Sequence, residues 1–145
     1  MQYGIKYGAL PIVLAFDIAM WSIDSSAKRA DQYDCKTYRF SSTEDDKDFS
    51  AKNERKLFTI HDIGETLVVK MTSPDFEAKT DEYKVLLRDD FGFQAYIPSP
   101  YSFAFQTLNF SFNPAGVHGE RFEASVSMLG TFFSNTWLLS CSKVK

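Results

Sequence analysis

The sequence predicts an all-β fold: a small antiparallel meander of about eight strands, closed as a barrel or packed as a sandwich, behind an N-terminal signal segment. Three observations predict this fold. Aromatic residues, which pack well on pleated sheets, make up 16% of the 145 residues. Apolar and polar residues alternate in several segments, as they do in strands with one buried face. Turn-forming residues separate these segments at short intervals, which is typical of a meander.

The strand candidates run from Cys35 towards the C-terminus. Glu120–Met128 is the clearest of them, because apolar and polar residues alternate along its whole length. The acidic segment Ser41–Lys56 is predicted to be a loop, and no segment after residue 28 has a helical period. The predicted strands are Cys35–Phe40, Leu57–His61, Thr66–Thr72, Glu82–Arg88, Phe91–Ile97, Ser102–Phe112, Glu120–Met128 and Thr136–Ser142.

Glycine and proline mark several of the predicted strand ends. Asp62-Ile63-Gly64 predicts a hairpin turn, because glycine adopts a positive φ without a steric penalty. Pro98-Ser99-Pro100 ends the fifth strand, since proline cannot donate a hydrogen bond to the ladder. The apolar parity changes between Phe105 and Leu108, which predicts a β-bulge or a break near Thr107 in the strand Ser102–Phe112.

Residues 1–27 are predicted to be a cleaved signal peptide, which leaves a single β domain at residues 28–145. A lysine precedes an apolar run at residues 8–23, and small residues follow that run, as in secretory signals. The run is too short for a membrane helix and is interrupted by Pro11 and Asp17, so no stable membrane span is expected. An uncleaved anchor and an N-terminal element of the fold are the alternatives. The expected location is the periplasm or the outside of the cell.

The two cysteines, Cys35 and Cys141, lie near opposite ends of the predicted domain. In an exported protein an even number of cysteines suggests pairing, and two cysteines allow a single disulfide. Such a bond needs Cα atoms within about 7 Å, so the first and last strands would be neighbours. Pairing of the first strand with the last favours a barrel over a sandwich, because a closed sheet has no exposed edge strand. Two separate buried thiols are the alternative.

The charge balance argues against nucleic acid and anionic membranes as partners. The formal net charge is −3 and the sequence pI is about 5.3, with Lys and Arg scattered among Asp and Glu. A nucleic-acid-binding domain would instead concentrate basic residues on one face.

The sequence contains no catalytic or cofactor-binding motif, so we expect a protein that is not an enzyme and uses no cofactor or metal. A Gly-x-Ser-x-Gly elbow, a P-loop and a Cys-x-x-Cys pair are all missing. His61 and Asp62 are adjacent, but neighbouring strand residues point to opposite faces. His118 is predicted to be exposed in a glycine-flanked connection. The acidic segment Glu44–Asp48 lacks the glycine and the final glutamate of an EF-hand loop.

One cluster of aromatic residues surrounds Pro98-Ser99-Pro100 and carries the site prediction. Such a cluster either fills the core of the domain or lines a pocket or binding edge. Both interpretations stay open from the sequence. The cluster comprises Tyr96, Tyr101, Phe103, Phe105, Phe110 and Phe112, of which Tyr96, Tyr101, Phe103 and Phe105 are the candidates for contact with a ligand or partner.

The predicted architecture resembles that of calycin-like carriers and of small periplasmic lysozyme inhibitors. The resemblance is architectural, because the Gly-x-Trp signature of lipocalins and the Ser-Gly-Ser and Thr-Lys-Gly pieces of the inhibitors do not occur. We expect an exported, non-catalytic binding domain whose partner is a protein, acting as an inhibitor or an interaction module. A carrier of a small apolar ligand in a barrel cavity is the first alternative. An enzyme whose site forms only in three dimensions is the second.

Overall fold

The chain folds as a closed antiparallel barrel with a helix over one end. A computed structural model describes residues 30–98, 104–112 and 121–145, with only the backbone described at residue 121. Within these ranges no helix is long and apolar enough to cross a membrane. The elements are β1 (Asp31–Ser42), α1 (Lys47–Glu54), β2 (Leu57–Asp62), β3 (Thr66–Thr72), β4 (Lys79–Asp89), β5 (Gly92–Ile97), β6 (Ala104–Ser111), β7 (Arg121–Gly130) and β8 (Ser134–Lys143).

Each strand pairs with the next in the chain, and β8 pairs with β1 to close the sheet. The predicted all-β meander of eight strands is therefore confirmed, and it is a barrel rather than a sandwich. The predicted signal segment at residues 1–27 lies outside the described residues. Closure leaves neither the first nor the last strand as an exposed edge, which removes a template for aggregation.

Apolar side chains from all eight strands fill the interior of the barrel. Because successive side chains alternate between the two faces of a strand, every second residue points inwards. The buried set forms one contiguous cluster: Tyr33, Cys35, Phe40, Phe58, Ile60, Leu67, Val69, Tyr83, Phe93, Ala95, Leu108, Phe110, Ala124, Val126, Trp137, Leu139 and Cys141.

A disulfide fastens the seam between the first and last strands. Cys35 and Cys141 are directly opposite each other across β1 and β8, with their Cα atoms 4.0 Å apart. Both side chains point into the core and are 2% exposed. The bond spans a sequence separation of 106 residues, so it encloses nearly the whole described domain.

The segment Ser41–Lys56 contains helix α1, so the predicted loop, and the expectation of no helix after residue 28, are wrong. Asp46 begins the helix, because its carboxylate accepts hydrogen bonds from the backbone N–H groups of Asp48 and Phe49. Phe49 is the one large apolar residue of the helix, so the sequence has no apolar stripe. Its ring packs edge-on against Phe40, with centroids 5.9 Å apart, and this contact holds the helix over the end of the barrel.

The bulge or break predicted near Thr107 is also wrong. β6 stays in continuous register with both neighbouring strands. The register shifts lie instead at Tyr38 in β1 and Leu86 in β4. The change of apolar parity arises because Phe105 points outwards, whereas Leu108 points into the core.

Gly92 and Gly64 allow a matched test of close strand packing. A Cβ atom on Gly92 would lie 1.9 Å from the carbonyl oxygen of Phe110, so β5 and β6 would have to separate. We expect Gly92→Ala to lower the free energy of unfolding by about 3 kcal/mol. Gly64 has a φ of +104° but open space around its Cβ position, so Gly64→Ala should cost only about 1 kcal/mol. Urea denaturation measures the free energy of unfolding of both variants. Equal losses would show that close packing of β5 against β6 does not explain the effect at Gly92.

Candidate binding face

Tyr96 and Phe105, two of the predicted contact residues, lie on the outer surface of the barrel. They stand on the neighbouring strands β5 and β6, with ring centroids 6.2 Å apart and an interplanar angle of 26°. Tyr96 is half-buried, and Phe105 is 47% exposed. Tyr101 and Phe103 lie outside the described residues. The described pair therefore contributes to an external surface and not to the lining of an interior cavity.

Two further exposed apolar residues lie at the end of β7 that pairs with the start of β6, and we define the aromatic patch as Tyr96, Phe105, Leu129 and Phe132. Leu129 on β7 is the cross-strand partner of Phe105 and is 44% exposed. Phe132, in the turn between β7 and β8, is 94% exposed. Neither residue was predicted from the sequence to contact a ligand or partner. The sequence signal for Phe132 is a large apolar side chain in the turn between two predicted strands, because turn residues lie at the surface and seldom reach the core.

The outer surface of the barrel is divided by charge. The outward side chains of β1–β4 include the exposed charged residues Asp34, Lys36, Arg39, Lys70, Glu82, Lys84 and Asp89. Among the described outward side chains of β5–β8, which we call the charge-poor face, Glu123 is the only charged one. The others are Gln94, Tyr96, Phe105, Thr107, Asn109, Ser111, Ser125, Ser127, Leu129, Ser134, Thr136, Leu138, Ser140 and Ser142.

Strand register arranges the polar side chains of this face in rows. Thr107, Ser127 and Thr136 are direct cross-strand partners in one row. The Ser127 and Thr136 hydroxyl oxygens are 3.0 Å apart, so one donates to the other. Because these hydroxyl side chains are short, they protrude less from the sheet than the neighbouring rings of Tyr96 and Phe105.

A groove of about 410 Å³ crosses the charge-poor face next to that row. Gln94, Asn109 and Ser125 form its polar floor. Leu87 and Phe91 stand at its β4–β5 end, where they are 53% and 67% exposed. Tyr38 and Leu138 stand at the opposite end, on β1 and β8. This combination of apolar walls and a polar floor suits a ligand with both kinds of surface.

The interior near these strands is filled by packed rings. Phe110 lies at the centre, with its ring centroid 4.6 Å from that of Tyr33 and 4.7 Å from that of Phe93. Phe112 and Phe122 pack edge-on or tilted against it. Of the predicted aromatic cluster, Phe110 therefore belongs to the core, and Phe112 packs against it.

The end of the barrel that carries the β2–β3 and β4–β5 turns has a recess of about 1030 Å³ with a charged rim. Arg88 makes two hydrogen bonds to the carboxylate of Asp62, at 2.7 and 2.8 Å, and its guanidinium lies 5.0 Å from the Phe93 ring centroid. Half of the residues that line the recess are charged: Asp31, Asp62, Glu65, Lys84, Arg88 and Asp89. This lining does not match a purely apolar ligand.

Tyr83 and Lys56 are among the ionisable groups inside or beside the barrel whose pKa values are displaced. Burial raises the pKa of Tyr83, whose hydroxyl accepts a hydrogen bond from the Gln106 amide. Burial, helped by the charge of Lys79, lowers the pKa of Lys56. The Lys56 ammonium lies 4.5 Å from the ring centroids of Phe76 and Trp137. Both groups have packing partners that account for their positions.

The residues considered for catalysis do not converge in the described part of the chain. Asp62 is engaged with Arg88, and no hydrogen bond joins it to His61. His118 lies outside the described residues. No group of three or more His, Cys, Asp or Glu side chains within the described ranges is arranged to hold a metal. Asp46, from the acidic segment, serves as the helix cap.

Comparison of the chain with protein-family models, with curated proteins and with solved structures gives no match. The surface of the barrel is therefore the basis for a functional proposal. Its distinguishing features in the described residues are the aromatic patch, the charge-poor face around it and the groove beside it.

Proposed function

We propose that this protein is an exported, non-catalytic binding domain that recognises a protein partner through the charge-poor face of β5–β8. The observation that carries the proposal is the division of the outer surface by charge. Glu123 is the only charged group among the described side chains of that face, whereas the rest of the barrel wall is richly charged. Depletion of charge together with aromatic residues is the composition of the centre of a protein interface.

The aromatic patch supplies the anchors that such an interface needs. Tyr96, Phe105 and Phe132 offer large, rigid contact areas that lose little conformational entropy on binding. Serine, threonine and asparagine hydroxyls and amides around them can satisfy the polar groups of a partner. Aromatic anchors within such adaptable polar contacts are the composition found in antibody paratopes.

Export is supported by the disulfide at the barrel seam. Disulfides persist in oxidising compartments such as the periplasm and the extracellular space, and are rare in the cytosol. Cys35 and Cys141 are bonded and fully inside the core, so the bond has a structural role. The expected leader at residues 1–27 would direct the chain to such a compartment.

A binding role also agrees better with the interior than a carrier role does. The candidate aromatics Tyr96 and Phe105 face outwards, and the inward positions are occupied by packed side chains. Charged residues line the recess at the end of the barrel, among them the paired Arg88 and Asp62. A small apolar ligand would have to enter past these charges.

The proposal is tested by affinity capture from the extracellular or periplasmic fluid of the source cells. We expect the immobilised wild-type chain to retain a defined protein, identified by mass spectrometry. Tyr96→Ala combined with Phe105→Ala should weaken its binding about 30-fold, because interface anchors contribute about 2 kcal/mol or more. Surface plasmon resonance with the identified protein measures this change.

A matched variant on the charged half of the barrel serves as the control. Leu57 is 46% exposed, almost the same as Phe105, and Val68 is half-buried on the neighbouring strand. Leu57→Ala combined with Val68→Ala should leave the affinity unchanged. Capture that is equally strong with both double variants, or no capture by the wild-type chain, would overturn the proposal. So would sedimentation showing that the captured protein is a second copy of this chain.

A further inference from the structure

The groove on the charge-poor face follows a single row of cross-strand partners. Leu87 pairs with Gln94, Gln94 with Asn109, Asn109 with Ser125, and Ser125 with Leu138. The row therefore crosses five consecutive strands, β4 to β8, at one level of the barrel. Adjacent strands lie about 4.8 Å apart, so the row is about 19 Å long.

The length of the row sets the length of an extended occupant. Five or six residues of extended chain, each about 3.3 Å long, span about 19 Å.

The floor of the groove offers hydrogen bonds in the pattern that an extended backbone needs. The side-chain amides of Gln94 and Asn109 each carry donors and acceptors, and the Ser125 hydroxyl can act as either. Within the described part of the chain, none of these three side chains is hydrogen-bonded to another protein group. They can therefore pair with backbone N–H and C=O groups without breaking a contact of the fold.

The charges at the groove favour a basic side chain in the occupant. Glu123 and Asp89 both line it, and none of the lining residues whose side chains are described is basic. Glu123 is exposed and makes no salt bridge within the described ranges. An occupant with a lysine or arginine near these carboxylates would gain charge complementarity, whereas an acidic one would be repelled.

We infer that the groove holds an extended segment of the protein partner, five or six residues long, with one basic residue beside Glu123. The inference rests on the proposed function and specifies how the partner is recognised. The segment lies across the strands, with its backbone on Gln94, Asn109 and Ser125. Its apolar side chains contact Leu87 and Phe91 at one end and Tyr38 at the other.

A heptapeptide library displayed on bacteriophage tests the inference with the full disulfide-bonded chain. We expect selection to enrich sequences with one lysine or arginine. Ser125→Trp, which fills the middle of the groove, should weaken binding of an enriched synthetic peptide at least tenfold. Glu123→Gln should weaken it about threefold and remove the preference for a basic residue. Val68→Trp, which places the same indole ring on the charged half, should change nothing.

Several results would overturn the inference: no enrichment, enrichment of acidic or wholly neutral sequences, or equal peptide binding by Ser125→Trp. Binding of an array of neutral oligosaccharides that Ser125→Trp abolishes, without peptide enrichment, would assign the groove to sugars instead. Binding of the captured partner to the variants distinguishes failure of the groove inference from failure of the proposed function. A partner that needs Tyr96 and Phe105 but binds Ser125→Trp normally would refute only the groove inference.

Discussion

Replacing both cysteines by alanine should remove about 4–5 kcal/mol of stability, because the bond closes a loop of about 100 residues in the unfolded chain. Cys35 and Cys141 are buried, and alanine leaves no unpaired polar group in their place. A domain of this size has a total stability of about 5–15 kcal/mol. We therefore expect the melting temperature of the double variant to fall by roughly 15–20 °C.

The loss should be localised at the seam of the barrel. β1 and β8 are brought together from opposite ends of the chain, whereas the other strand pairs are joined by short connections or by α1. Hydrogen exchange of amides in β1 and β8 should therefore increase more than exchange in the β2–β3 hairpin. Unfolding of the wild-type chain in reductant should match that of the double variant. A loss below about 1 kcal/mol would mean that strand pairing alone holds the seam.

The strands of the barrel could be predicted because patterns between residues close in sequence determine where each strand runs and which side chains face the core. Alternation in segments such as Glu120–Met128 determines which side chains face the core, and β7 was found within two residues of its predicted ends. Turn residues such as Gly64 separate the strands, and its φ of +104° confirms the predicted turn. The pairing of Cys35 with Cys141 followed from the cysteine count and led to the closed barrel.

Helix α1 escaped prediction because tertiary packing, and not periodicity, stabilises it. Its apolar face is essentially one ring, Phe49 on Phe40, and an apolar period cannot arise from one residue. The capping signal was present, since Asp46 stands just before the helix with another acidic residue, Asp48, in its first turn. The polar and acidic composition of the segment predicted a solvated loop instead.

The binding face could be predicted only in part, because it depends on which strands are neighbours. Tyr96 and Phe105 were identified, but their outward direction depends on the register between β5 and β6. The charge-poor face gathers uncharged residues from four strands, and no single strand reveals it. Leu129 joins the aromatic patch through its pairing with Phe105, a contact between residues 24 positions apart in the chain.

A second large effect is expected from truncating a core ring on β6. Phe110 is 3% exposed, and its ring contacts those of Tyr33, Phe93, Phe112 and Phe122 at centroid distances of 4.6–5.7 Å. Phe110→Ala would leave a cavity at the centre of this cluster. We expect the free energy of unfolding to fall by about 4 kcal/mol, as measured by urea denaturation.

The same substitution five residues earlier provides the control and connects stability with function. Phe105 lies on the same strand but on the outer surface, so Phe105→Ala should change stability by less than about 1 kcal/mol. It should nevertheless weaken partner binding, which Phe110→Ala should not do under conditions where that variant remains folded. Equal stability losses at the two positions would show that Phe105 is part of the core. Since a free binding residue needs no partner within its own fold, that result would also remove Phe105 from the proposed interface.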